Sequence, residues 1–134
     1  MKIKTSINLL LWLGAVGLSL IMLVFVIGAT WIGYSMKNLC KTAQWEYQGD
    51  CATALIAQLQ DEERGYKARN DAIWGLSQLG DERALPVLES YYTGNIPDRE
   101  PLDGSISQYE LRKAINAANG GVNLTAIFWK HDIN

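Results

Sequence analysis

The sequence predicts an all-α protein, with a single N-terminal transmembrane helix followed by a small domain of two helix pairs. Three observations lead there. No charged side chain occurs from Ile7 to Tyr34, and about 20 apolar residues suffice to cross a bilayer as a helix. Downstream, apolar residues recur at three- and four-residue spacings in four segments, the period of a half-buried helix. Three of those segments open on Asp or Ser caps and several close on glycine. A chain of 134 residues leaves room for one small domain at most beside the apolar run.

The apolar run contains only Asn8, Ser19, Thr30 and Tyr34 as polar residues. Trp12 stands near one end, with Trp31 and Tyr34 near the other. Trp12 and Trp31 are separated by roughly 28 Å along a helix, close to the thickness of the hydrocarbon core. Indole and phenol rings favour the headgroup layers, so these three residues are the expected membrane anchors. The run exceeds the h-region of a cleaved secretory signal and lacks a small-residue cleavage site after it, so an uncleaved signal anchor is expected. Small residues at four-residue spacing, Ala15 with Ser19 and Ala29 with Gly33, would also permit close helix approach in lipid.

Lys2, Lys4 and the terminal amine flank one side of the run, and Lys37 and Lys41 the other. The positive-inside rule is nearly balanced and tips slightly toward a cytoplasmic N-terminus. Cys40 and Cys51 are the only cysteines, and a bridge between them would close a juxtamembrane loop worth roughly 2.8 kcal/mol by chain entropy. Such a bridge persists in an oxidising compartment; two buried free thiols are the other reading. Together these place the C-terminal domain on the periplasmic or extracytoplasmic side.

The expected organisation is an anchor over residues 1–35, a juxtamembrane linker over 36–49, a helical domain over 50–120, and a capping tail over 121–134. Asp50 caps a first helix of ten to twelve residues, with Cys51, Leu55 and Leu59 on one face. A second helix runs from Tyr66 to Leu79 and stops at Gly80. Asp81 caps a third, which Pro86 should kink near Asp81 and Glu82. Residues 93–107 hold two prolines and two glycines and form an exposed loop inserted in the second pair. Ser107 and Glu110 then have the spacing of a capping box at the head of a fourth helix, which ends near Asn119.

Residues 68–88, ARNDAIWGLSQLGDERALPVL, resemble HEAT-like repeats, in particular the short form found in phycobilisome lyases. The matching features are Arg69 early in its helix, the Leu79-Gly80-Asp81 junction, Arg83-Ala84 and Pro86. Residues 109–115, YELRKAI, look like a second copy of the arginine-bearing helix. The resemblance implies an α-solenoid of two helix pairs, with Arg69, Asp71 and Arg112 tying one repeat to the next by ion pairing. Two repeats leave both ends of a stack open, because solenoid units bury their faces only against neighbours. Trp45 and Tyr47 are candidates to cover one end. The tail is expected to lie extended over the other, with Val122, Leu124, Ala126 and Phe128 inward, and Ile127 and Trp129 on the opposite side.

Residues suited to catalysis are few. His131 is the only histidine, and no phosphate loop, nucleophile elbow or HExxH helix is present, so no catalytic, cofactor or metal-binding residue is assigned. All 14 acidic residues lie beyond Ser35, where the net charge is about −4, so a nucleic-acid partner is not expected. The sequon Asn123-Leu124-Thr125 has neighbours that look buried. Recognition of a protein partner is placed at the long loop, where Tyr91, Tyr92 and Ile96 stand beside Arg99 in a mix common at interface hot spots; an ordered structural insert is the alternative. The sequence therefore predicts a membrane-anchored interaction or assembly module, touching the bilayer through residues 7–34 and a membrane-associated protein partner. A small accessory subunit held through its transmembrane helix is the second reading. A bilin lyase-like enzyme is a remote third, implied only by the family resemblance.

Overall fold

In a computed structural model, residues 2–133 are described, with side chains from Ser6 onward. The Lys2 and Lys4 side chains, on which the charge argument for orientation draws, lie outside the described residues. The described chain is all-helical, in the order α1 (Lys2–Glu46), α2 (Cys51–Gln60), α3 (Tyr66–Leu79), a 3₁₀ turn (Glu82–Ala84), α4 (Leu85–Tyr91) and α5 (Gln108–Ala118). Two further 3₁₀ turns, Leu124–Phe128 and Lys130–Asp132, form the tail.

Helix α1 is the main departure from the sequence expectation. The linker expected over 36–49 is helical as far as Glu46, in one unbroken element with the apolar run. Its physical cause is a second amphipathic pattern. Ala29, Ile32, Gly33, Met36, Leu39, Cys40 and Ala43 fall on one face at three- and four-residue intervals, and no proline or glycine interrupts residues 34–46. Met36, Cys40 and Ala43 are buried in the core of the domain, with Ile32 and Leu39 packed against it. Lys37, Lys41 and Trp45 occupy the open face. One helix is thus uncovered along its first half and a core element along its second.

The three caps that the sequence predicts are present. Asp50 accepts from the Thr53 amide at the head of α2, Asp81 from the Arg83 amide, and Ser107 Oγ from the Glu110 amide at the head of α5. Gly80 ends α3 at φ +58°, where a Cβ would be strained. The expected kink at Pro86 takes another form. The third helix is divided into the 3₁₀ turn and α4, and Pro86 sits in the first turn of α4, where its missing donor is not needed. Helix α3 is the centre of the domain, packing most extensively on α5 and on α2, and α1 lies against both α2 and α3. The core joins Leu55 and Leu59 of α2, Ile73 and Leu76 of α3, Leu88 of α4 and Leu111 of α5 to the inner face of α1.

The tail also differs from expectation. It is coiled in 3₁₀ turns rather than extended, and it packs on α1. Trp129, expected on the outer side, is buried, whereas Val122, Leu124 and Phe128 are exposed. The cause is a close contact with α1 rather than with the second helix pair, described next.

Candidate functional site

Three regions bear on function: the uncovered half of α1 with the tail beside it, the disulfide, and the long loop.

From Ser6 to Ile27 the side chains of α1 are exposed, apart from the glycine at 17, and the window of highest mean hydropathy has none of its residues buried. By length and composition this is a helix able to cross a membrane. Trp12, Trp31 and Tyr34 are all exposed on it. The tail first meets α1 at Phe25, and the first buried position on α1 is Ala29. The Trp129 side chain lies directly over Gly33, and the Phe128 ring meets the Phe25 ring edge-on, 5.8 Å between centroids. Ala29 and Gly33 are therefore occupied by the chain's own tail, and only Ala15 and Ser19 of the small-residue pattern remain uncovered; the Ser19 hydroxyl bonds back to the Ala15 carbonyl at 2.9 Å. Asn123 anchors the tail to α3, its amide donating to the Gln78 carbonyl and side-chain oxygen at 3.1 Å each, while Lys130 Nζ donates to the Leu79 carbonyl at 2.7 Å. The sequon's neighbours Val122 and Leu124 are exposed, contrary to expectation; the committed group is the Asn123 amide itself.

Cys40 of α1 and Cys51 of α2 lie at disulfide distance, with their Cα atoms 5.0 Å apart, and both are buried. The bridge ties the long helix to the first helix of the domain beneath the Glu46–Gly49 turn. Around that turn, Arg64 pairs with Glu46, and the Tyr47 hydroxyl donates to Asp61 at 2.6 Å. Burial, then the Asp61 carboxylate, pushes the Tyr47 phenol up, and the same hydrogen bond holds Asp61 below the usual carboxylate range. Tyr47 thus covers one end of the domain as expected, whereas Trp45 is fully in solvent.

The arginines expected to tie the helix pairs together behave differently from one another. Arg69 is buried, donates from Nε to the Leu59 carbonyl at 2.8 Å, and lies 5.3 Å from the Tyr91 ring centre. It joins α2, α3 and α4 without an acidic partner. Asp71 pairs with Lys67 one turn earlier on the same helix, and Arg112 stacks on Tyr109 of its own helix, so neither links the two pairs. The ion pair between pairs is made by Arg83, which bridges Asp81 at 2.7 Å and Asp50 at 2.6 Å. Its guanidinium holds Asp50 down to about 2, with help from the Thr53 amide and hydroxyl, and lowers Asp81 as well. The signal for this in the sequence is local to one end: Arg83 stands two residues after the cap Asp81, whereas Asp50 is 33 positions away.

The loop over 93–107 is tied down by three side chains, Asn70, Glu100 and Gln108, the last accepting from the Thr93 amide at 2.7 Å. Asn70 of α3 donates to the Leu102 and Ser105 carbonyls at 2.8 Å each and accepts from the Ser107 amide at 2.9 Å. Glu100 receives the Ser107 hydroxyl and the Gln108 and Tyr109 amides at the head of α5. The capping box is thereby modified: Glu110 turns to Lys113, and Asn70 takes the Ser107 amide that Glu110 was expected to reach. Tyr91 and Tyr92 pack against the core instead of standing in the loop's exposed face, Ile96 is half-buried in a shallow groove with Leu102 and Tyr109, and Arg99 is exposed. The expected recognition group is thus divided, with only Ile96 and Arg99 facing outward. His131 is exposed beside Asp132, and among the described residues no three His, Cys, Asp or Glu side chains converge as metal ligands would.

Comparison with protein-family models, characterised proteins and solved structures finds no match to this chain.

Proposed function

We propose that the chain is a single-pass membrane protein whose helical domain is an interaction or assembly module held at an extracytoplasmic membrane surface. The observation that carries this reading is the division of α1: apolar and exposed through Ile27, then covered on one face, at Ala29 and at Met36, Cys40 and Ala43, the last three in the domain core. An anchor joined to its domain by continuous helix fixes the domain's height and tilt above the bilayer, which a flexible linker would not. Anchoring in turn raises the effective concentration of the domain beside other membrane proteins, so weak contacts suffice. The buried Cys40–Cys51 bridge supports an oxidising compartment. The two helix pairs, α2 with α3 and α4 with α5, joined through Arg69 and Arg83, support a short HEAT-like arrangement.

The accessory-subunit reading, in which the helix alone holds the chain in a complex, loses part of its basis because Trp129 already occupies the Gly33 face. Photo-cross-linkers at Arg99 and at Ala15, in membranes at native expression, separate the two. A reproducible foreign protein linked from Arg99 supports the module. Linkage from Ala15 alone supports the accessory subunit, and linkage only between copies of the chain contradicts both.

A further inference from the structure

The tail carries a second apolar surface that packing in the domain does not explain. Val122 is 86% exposed, Ile127 71%, Leu124 60% and Phe128 51%, all within seven residues. Exposed apolar side chains in such density mark a contact surface. Their position on α1 identifies what that surface touches. Phe128 packs on Phe25, and Val122 and Leu124 line a groove together with Phe25 and with Gln78, Lys113 and Asn116 of α3 and α5. The next part of the tail rises along α1, with Trp129 on Gly33, and Asp132 and Ile133 beside Tyr34 and Lys37. The apolar part of the tail therefore lies at the level where the uncovered helix meets the domain, and the charged part lies further from it.

The geometry points to the tail as a membrane-embedded element: residues 122–128 lie in the surface of the same bilayer that α1 crosses, with Val122, Leu124, Ile127 and Phe128 in contact with lipid. The inference rests on the membrane-anchored reading above. Either way of placing α1 in the bilayer, by its uncharged stretch or by Trp31, puts Phe128 at the edge of the hydrocarbon or within it. Ile7–Ile27, the uncovered stretch without charge, is roughly 31 Å long as a helix and so fills the hydrocarbon core by itself; its domain-side limit falls beside Phe25 and Phe128. Trp31, on the open face, stands roughly 9 Å above Phe25 along the axis. With its indole in the headgroup layer, Phe128 falls at the acyl-chain boundary below, the depth at which interfacial apolar side chains settle. The tail's polar groups suit that position. The Asn123 amide is taken up by Gln78 and Thr125, and Lys130 by the Leu79 carbonyl, so the lipid-facing side is left to apolar groups. The tail in this reading is a foot that sets how close α3 and α5 approach the membrane.

The test uses the full chain, disulfide intact, in vesicles of phosphatidylcholine and phosphatidylglycerol. A single added cysteine carries an environment-sensitive fluorophore at Leu124→Cys or Ile127→Cys, with Met22→Cys as the position inside the bilayer and Glu62→Cys as the position in water. All four sites are exposed, so the labels leave the core intact. The expected result is blue-shifted emission at Leu124 and Ile127, lost to brominated lipid as it is at Met22, with neither effect at Glu62. Quenching at Met22 without quenching at Leu124 and Ile127 overturns the inference and leaves the anchor standing. A label at Leu124 that is shielded from water yet insensitive to brominated lipid also overturns it, because a protein then covers the patch. Absence of quenching at Met22 overturns the anchor and the inference with it.

Discussion

Gly33 and Trp129 are in direct contact: a Cβ placed on Gly33 would lie 2.6 Å from the Trp129 Cβ and 3.0 Å from its Cγ. The Trp129 Cβ is fixed by the tail backbone, so a rotamer change cannot relieve that overlap. The contact explains why a glycine is retained in the middle of a long helix, where it costs about 1 kcal/mol relative to alanine. Gly33→Ala should therefore cost about 1–3 kcal/mol by overpacking and loosen the tail. Gly28→Ala, where a Cβ meets nothing within 4 Å, should be neutral or stabilising. Limited proteolysis of residues 121–134 in detergent reads both: early tail cleavage in the first variant alone is the expected outcome.

The Cys40–Cys51 bridge closes a loop of eleven positions, containing the turn from α1 into α2. Its loss should lower stability by about 2–3 kcal/mol if the chain-entropy account holds. Thermal unfolding of the Cys40→Ser, Cys51→Ser double variant should show this decrease. Reductant should lower the melting temperature of the wild-type chain and leave that of the variant unchanged.

Asn70 makes three hydrogen bonds to the loop from one amide. Asn70→Ala strands the buried Ser107 amide and should cost about 1–3 kcal/mol for that group alone. The loop over 93–107 should then be cut by protease under conditions in which the wild-type loop resists. Asn70→Asp retains the acceptor for Ser107 but sets a buried carboxylate oxygen against two carbonyls, and should destabilise at neutral pH at least as much as Asn70→Ala.

Asp50 and Asp81 are held below their ordinary values, first by the Arg83 guanidinium, and Asp50 reaches about 2. A carboxylate whose pKa is lower in the folded than in the unfolded chain stabilises the fold above its unfolded value, here 3.8, and loses that contribution as pH falls through the folded value. The junction between the helix pairs should accordingly weaken between pH 4 and 2. Arg83→Gln should be less stable at neutral pH and flatter across the acid range. The effect is modest, because these side chains are half exposed and screened by salt. Melting temperature against pH for the two proteins measures it.

Local signals made much of the fold legible. The caps at Asp50, Asp81 and Ser107, the glycine stop at Gly80 and the apolar spacing of α2, α3 and α5 are each set within a few residues, and each is present. What the sequence hid was decided at long range. Residues 36–46 read as a linker because they follow a long apolar run, although Met36, Cys40 and Ala43 already carry helical spacing toward a core. The tail alternates apolar and polar residues as a strand would, but the Gly33 opening on α1 selects Trp129 as the buried side chain and coils the rest around it. Arg69 and Arg83 stood out as conspicuous residues, yet which of them meets a carbonyl and which a carboxylate depends on elements ten and thirty-three positions away. The group expected to face a partner is divided for the same reason, since Tyr91 is drawn under Arg69.

We propose that α1 crosses a membrane and places the domain on its extracytoplasmic side. This arrangement is tested most directly by alkaline extraction of membranes from expressing cells, combined with protease digestion of sealed inverted vesicles from the same cells. The account predicts that the chain stays with the extracted membranes and that the domain resists protease until detergent opens the vesicles. Release into the alkaline supernatant, or digestion of the domain in intact inverted vesicles, would contradict it.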